Sequence, residues 1–167
     1  MKPKILVVED DTRLRLLVLE GLSTEGYDLK SAESYDDAVK AIESEDFDVL
    51  LTDVNLPGKS GLDLLPICLR RSPRTYLMVM TAYGSIDTAV QAMKLGAQDF
   101  LCKPIPLKDL ISAVRVAVEK NAAGPDRFEP ETASDSPIIG RSVVMLNLLE
   151  QVNIIAPYKI NVLITGE

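Results

Sequence analysis

The sequence predicts an α/β fold, a parallel sheet with helices on both faces, and three observations carry that expectation. Short apolar runs alternate with amphipathic stretches of helical period, the order of repeated βα units. Five such units follow one another before residue 121. Polar residues stand directly behind four of the apolar runs, and an open parallel sheet binds its ligands there, beyond the carboxyl ends of its strands.

Ile5-Leu6-Val7-Val8 reads as a buried strand, and Asp10-Asp11-Thr12 supplies capping residues for a helix with Leu14, Leu17, Val18 and Leu22 on one face, ended by Gly26. Tyr27 to Ser31 is a weaker strand. Ser34, with Asp37 three residues on, opens a helix carrying Ala38, Ala41 and Ile42 inward. Asp48 to Thr52 forms the third strand, and Asp53 sits at its carboxyl end. The loop Asn55-Leu56-Pro57-Gly58-Lys59-Ser60-Gly61 leads into a helix with Leu62, Leu65 and Leu69, in which Pro66 demands a kink or an early position. Tyr76 to Met80 is the fourth strand, ended by Thr81. Ser85 caps a helix with Ala89, Val90 and Met93 that Gly96 closes. Gln98 to Cys102 is the fifth strand, and Leu107, Leu110, Ile111, Val114 and Val118 line a last helix to about Asn121.

Residues 122–137 turn to Gly, Pro, Glu, Asp and Ser and read as a linker, which sets the first domain at 1–121. Residues 138–167 carry an amphipathic helix through Leu146, Leu149 and Val152, then an apolar strand that reaches Gly166-Glu167. The 167 residues thus accommodate one domain and part of a second.

Composition removes several function classes. Hydrophobic residues at 47% and charged residues at 26%, with no apolar stretch near the ~20 residues of a membrane helix, are expected of a soluble protein that does not enter membranes. The amino terminus lacks the features of a signal peptide, so a cytoplasmic location is expected, with Cys68 and Cys102 as free thiols. The absence of histidine excludes Ser-His and Cys-His catalysis and any internal phospho-histidine. A net charge of -7 argues against this stretch gripping a nucleic-acid backbone.

Glu9 and Asp10 follow the first strand, Asp53 the third, Thr81 the fourth and Lys103 the fifth, so separate strands deliver them to one rim. Each has an ordinary reading as a cap, a turn residue or a solvated charge; the coincidence of all five points to a site. Carboxylates gathered there repel, by about 4 kcal/mol for a pair 4 Å apart at an effective dielectric near 20. A hard divalent cation offsets this, and Mg2+ suits one or two carboxylates plus phosphate oxygens better than Ca2+, for which no dedicated loop is visible. With Mg2+ bound, Asp53 can attack phosphorus in line while Lys103 neutralises the equatorial oxygens. Thr81 then offers a hydroxyl to the new phosphate, and Phe100 is placed to follow its reorientation.

The segments Val7-Val8-Glu9-Asp10-Asp11, Leu51-Thr52-Asp53-Val54-Asn55-Leu56-Pro57-Gly58, Met80-Thr81-Ala82-Tyr83-Gly84 and Phe100-Leu101-Cys102-Lys103-Pro104 closely resemble the receiver domain of two-component response regulators. The resemblance implies a doubly wound sheet of order 2-1-3-4-5, Asp53 as the aspartyl-phosphate site, and Glu9 and Asp10 as the Mg2+-holding pair with Asp11 as neighbour. It also implies a metal ligand from the Asn55 main-chain carbonyl, Thr81 and Phe100 as the switch pair, and a Lys103-Pro104 bond open to the cis isomer. Two positions depart from the common pattern: Glu9 where many members have Asp, and Phe100 where Tyr is frequent. A histidine kinase is the phosphoryl donor expected, and the apolar stripe from Leu107 to Val118, which continues toward the linker, motivates the expectation of a homodimer.

Ile138-Ile139-Gly140-Arg141-Ser142 and Val162-Leu163-Ile164-Thr165-Gly166-Glu167 resemble the opening of the ATPase domain of sigma-54-dependent transcription activators of the nitrogen-regulator type. In that family Gly166-Glu167 begins a phosphate-binding loop whose Lys comes later. Contacts with ATP, DNA and sigma-54 RNA polymerase are therefore expected only through further parts of a longer regulator. Three alternatives use other chemistry. A phosphatase of the haloacid dehalogenase type wants Asp where Asn55 stands; a receiver-like module that signals by contact alone does not need the five polar residues; a flavin-binding relative would set its cofactor phosphate against Glu9-Asp10-Asp11.

Overall fold

The computed structural model of the chain describes residues 2–82 and 86–123. The Ser85 cap, the linker beyond residue 123, the segment 138–167 and the Gly166-Glu167 loop lie outside the described residues. In chain order the elements are β1 (Lys4–Val8), α1 (Thr12–Ser23), β2 (Asp28–Ala32), α2 (Tyr35–Ser44), β3 (Val49–Asp53), α3 (Leu64–Arg71), β4 (Tyr76–Thr81), α4 (Ile86–Lys94), β5 (Asp99–Cys102) and α5 (Leu107–Ala123). The five strands form one sheet of order β2-β1-β3-β4-β5, every neighbouring pair parallel. This is the doubly wound α/β architecture expected from the βα alternation. Among the described residues no helix is long and apolar enough to cross a membrane.

Alternation along each strand divides the core into two layers. Leu6, Val8, Leu50, Leu77 and Val79 face α2, α3 and α4, where they meet Ala38, Ile42, Leu65, Cys68 and Ala92. Ile5, Val7, Val49, Leu51, Met78 and Met80 face α1 and α5, against Val18, Leu22, Leu110, Val114 and Ala117. Covered on both sides, β1, β3 and β4 are buried at nearly every position and carry continuous apolar runs, as buried parallel strands do. Each fully buried Leu or Val contributes about 1.5–3 kcal/mol through its removal from water.

Several helices differ in detail from the sequence reading. In α1, Val18 and Leu22 are buried, but Leu17 is 48% exposed and Arg15 takes an inward position. The helix closes at Ser23, and Gly26, with φ at 80°, completes the turn beyond it. Among the described side chains of α4, Ala92 is fully buried and Ala89, Val90 and Met93 are half-buried. Of the kink or early position that Pro66 demands, the structure takes the early position. A 3-10 turn over Gly61–Asp63 runs into α3, so Pro66 is its third residue, where a backbone N–H has no intrahelical partner to lose. The last helix extends two residues past Asn121, whose Nδ2 donates to Asp48 Oδ1 at 3.1 Å.

The loop after β3 is held close beneath the sheet rim. Gly61 donates its N–H to the Val54 carbonyl at 2.8 Å. A Cβ there would lie 1.8 Å from the Asp53 carbonyl oxygen and 2.7 Å from Thr52 Oγ1. Backbone cannot yield as a flexible side chain does, so Gly61→Ala is expected to cost about 3 kcal/mol, the upper part of the usual overpacking range. A lowered urea midpoint in that variant is the check; an unchanged midpoint contradicts the close approach.

At the opposite edge, Glu45 accepts hydrogen bonds from Lys30 and Lys4, which hold its carboxyl down to about 2 from an ordinary 4.5. A lowered folded-state pKa means that the ionised form favours folding. The stabilisation is present above pH 4.5 and is lost as pH falls toward 2. Because the pair is solvent-accessible, the effect is screened by salt. Wild type is expected to lose stability faster than Glu45→Gln across that window, with midpoints that converge near pH 2; parallel pH profiles would contradict this.

Candidate functional site

Parallel pairing sends the carboxyl ends of β1, β3, β4 and β5 to one rim, and Glu9, Asp53, Thr81 and Lys103 stand there. Lys103, in the turn after β5, donates to Asp53 Oδ2 and to Glu9 Oε2, both at 2.6 Å. All three side chains are largely dry, at 16% exposure for Lys103, 8% for Asp53 and 1% for Glu9. Burial pushes the Glu9 carboxyl up, against the opposing hydrogen bond from Lys103. Burial by itself would lower Lys103, but the hydrogen bonds to Asp53 and Glu9 override it and hold the ammonium protonated. One cation thus serves two buried carboxylates.

Asp10 adds a third from the exposed side: Glu9, Asp10 and Asp53 each offer an oxygen, and these oxygens lie within 4.8 Å of one another. Three carboxylates against one ammonium leave two negative charges in the ionised state. An all-oxygen donor set with that surplus fits a hard divalent cation. The open side fits too, since a cleft of about 620 Å³ lined by Asp10, Val54, Asn55, Lys59 and Ser60 leaves room for water and phosphate oxygens.

Neighbouring residues orient this group. The Asn55 N–H donates to Asp53 Oδ1 at 3.1 Å, so both Asp53 oxygens have protein partners. Asp11 turns away from the cluster to cap α1, where it accepts from the Leu14 and Arg13 N–H groups, and those bonds lower its pKa. Thr81 ends β4, is 1% exposed, and its carbonyl accepts from the Lys103 N–H at 2.8 Å. Phe100 is half-buried and pairs in register with Val79, two residues before Thr81. Strand alternation therefore sets Thr81 and Phe100 on the same face of the sheet as diagonal neighbours. The Lys103-Pro104 peptide bond is cis.

Two residues at this rim escaped the sequence reading. Gly61 looked like ordinary loop punctuation, and only its approach to Asp53 gives it a reason. Arg15, between Leu14 and Leu16 in an amphipathic helix, is not singled out by the sequence pattern, yet it is 9% exposed and donates to the Glu9 carbonyl at 2.6 Å. A basic residue at an inward helical position was the available signal.

Comparison with known proteins agrees with this arrangement. Residues 5–115 match the model of the response regulator receiver domain family. The chain is 37% identical over 166 residues to the response regulator protein PilR of Pseudomonas aeruginosa, with 99% of the chain and 36% of that regulator aligned. It is 31% identical over 163 residues to the DNA-binding transcriptional regulator NtrC of Rhizobium meliloti, with 98% of the chain and 34% of that regulator aligned. The chain therefore spans about a third of the length of the curated relatives it matches. Among solved structures, a CheY-like receiver domain protein from Methanospirillum hungatei superposes with a TM-score of 0.71 at 27% identity, over 74% of this chain and 98% of that one. A beryllofluoride-activated NtrC4 receiver domain dimer gives 0.67 at 32% identity, over 71% and 98% of the respective chains. With the family match over most of its length and the acidic group at the rim of a 2-1-3-4-5 sheet, the chain belongs to the response regulator receiver domain family.

Proposed function

We propose that this chain is the phospho-acceptor part of a two-component transcription regulator, with Asp53 as the acceptor and Mg2+ as the cofactor. The observation that carries the reading is the Lys103 ammonium between Asp53 and Glu9 at 2.6 Å, with Asp10 completing an all-oxygen cluster open to solvent. Glu9, Asp10, Asp53 and the Asn55 main-chain carbonyl are the residues that would hold Mg2+. When bound, the cation supplies positive charge against the phosphoryl oxygens and the carboxylates together.

The chain has no histidine, so the phosphoryl group comes from outside, from the phospho-histidine of a kinase. A carboxylate oxygen of Asp53 attacks phosphorus as the donor's P–N bond breaks and its electron pair leaves with the imidazole. The product is an acyl phosphate on Asp53. Lys103, held protonated by its two carboxylates, follows the charge from the Asp53 oxygen to a phosphoryl oxygen. Thr81 donates its hydroxyl to the same group, and Phe100, its neighbour on that face, repacks with it. This is a switch in a single-turnover acceptor rather than an enzyme with a substrate of its own.

The order of parts we infer is a receiver domain over 1–121, a linker over 122–137 and, over 138–167, the start of an ATPase domain in which Gly166 and Glu167 open the nucleotide loop. The resemblance to sigma-54-dependent activators supports this order, as does the alignment of nearly the whole chain with one third of PilR and NtrC. ATP, DNA and sigma-54 RNA polymerase then engage other parts of the full-length protein, in the cytoplasm. Output runs through dimer control by α5, whose apolar stripe leads toward the linker and leaves Val116 45% exposed.

Incubation with a small phosphodonor and Mg2+, followed by intact-mass measurement, is expected to add one phosphoryl group to the native chain and none to Asp53→Asn or after chelation. No gain in the native chain, or an equal gain in Asp53→Asn, overturns the acceptor reading. Sedimentation velocity across a wide concentration range is expected to give different monomer-dimer distributions for the phosphorylated and unmodified chains. Superimposable distributions would count against dimer control.

A further inference from the structure

Arg15 occupies a place where neither helix electrostatics nor core packing wants it. It lies in the first turns of α1, its N–H bonded to the Asp11 carbonyl that starts the helix at 2.8 Å. Cations are disfavoured near a helix amino terminus, where the macrodipole is positive. Arg15 is nonetheless buried, and helical side chains lean back toward the amino terminus, which carries its guanidinium over the loop between β1 and α1.

The contacts it makes there are specific. Nη1 donates to the Glu9 carbonyl at 2.6 Å and reaches the Asp10 carbonyl at 3.4 Å; Nη2 reaches Thr12 Oγ1 at 3.5 Å and Glu33 Oε2 at 3.2 Å. The Glu9 N–H is bound on its other side by the Ala32 carbonyl at 3.1 Å. The peptide groups that carry the acidic pair are thus clamped from both directions. The Glu33 side chain is 69% exposed, so that ion pair contributes little, whereas a charged donor on a buried carbonyl is a strong bond. A planar fork of donors can serve two carbonyls and a carboxylate at once, which Lys cannot.

We propose that Arg15 is a positioning residue of the acidic site: it fixes the Glu9 and Asp10 main chain so that both carboxylates converge with Asp53 on a divalent cation. The claim rests on the metal reading given above, and the experiment separates the two. Outer groups that orient metal ligands typically change affinity by about 10–100-fold when lost.

Mg2+ affinity is measured by calorimetry on the full chain, with the Glu9 and Asp10 amide signals followed by NMR in metal-free buffer. Arg15→Met is expected to weaken Mg2+ binding about tenfold and to shift both amide signals. Arg15→Lys, which keeps the charge but replaces the planar fork with a single donor nitrogen, recovers part of the affinity. Glu33→Gln stays within about twofold of wild type, as an exposed pair should. Ile42→Val, a core truncation remote from the rim, lowers thermal stability without changing Mg2+ affinity. The proposal is overturned if Arg15→Met binds Mg2+ like wild type, or if Ile42→Val weakens binding as much. Should Arg15→Met not fold, Arg15→Lys decides: unchanged affinity and amide signals overturn it. If the unsubstituted chain takes up no Mg2+, the metal reading falls, and unmoved Glu9 and Asp10 amides in either Arg15 variant overturn the positioning claim by themselves.

Discussion

Every strand of the sheet points the same way, and the rest of the molecule follows from that constraint. Parallel strands require a crossover between each pair, so helices cover both faces and the central strands become dry. Their carboxyl ends meet at one rim. Had β3 run against β1, Asp53 would stand at the opposite edge from Glu9, with no single ammonium able to reach both. The 2.6 Å contacts of Lys103 with Asp53 and Glu9 join residues 50 and 94 positions apart, a link made possible by the sheet alone.

Burial gives this rim its chemistry. Glu9 and Asp53 are both buried, so their charges are poorly screened, and one ammonium must serve both. The surplus negative charge suits the group to a divalent cation. Charge added to or taken from Asp53 is felt at once by Lys103, whose main-chain N–H is bonded to the Thr81 carbonyl. Thr81 and Phe100 share a sheet face, and Phe100 packs there against the cluster that includes Ala92 of α4.

The first turns of α1 show how position overrides pattern. The apolar pattern sets Leu17 inward, whereas Arg15, three and seven residues before Val18 and Leu22, shares their buried face where the amino-terminal end of α1 meets the polar loop after β1. What faces inward there meets carbonyl groups, which Arg15 satisfies and a leucine would leave unpaired. Leu16 and Leu17 stay accessible at 59% and 48%. Only deeper in the helix, at Val18 and Leu22, does the apolar face reach the sheet.

The sequence by itself determined the order of elements and the identity of the rim residues, because apolar period and strand-end position are local properties. Ile5 to Val8, Val49 to Leu51 and Tyr76 to Met80 announce dry strands, and Glu9, Asp53, Thr81 and Lys103 follow from where those strands stop. Local pattern also located Pro66 and Ser34, though the mild fate of Pro66 needed the 3-10 turn before it. Only the tertiary structure decided what the rim residues touch. The sharing of Lys103 between two carboxylates, the approach of Gly61 to the Asp53 carbonyl and the grip of Arg15 on the Glu9 carbonyl join residues through space. Such contacts depend on strand register and helix placement, which periodicity does not encode, since a residue's spacing along the chain says which face it is on but not what that face meets.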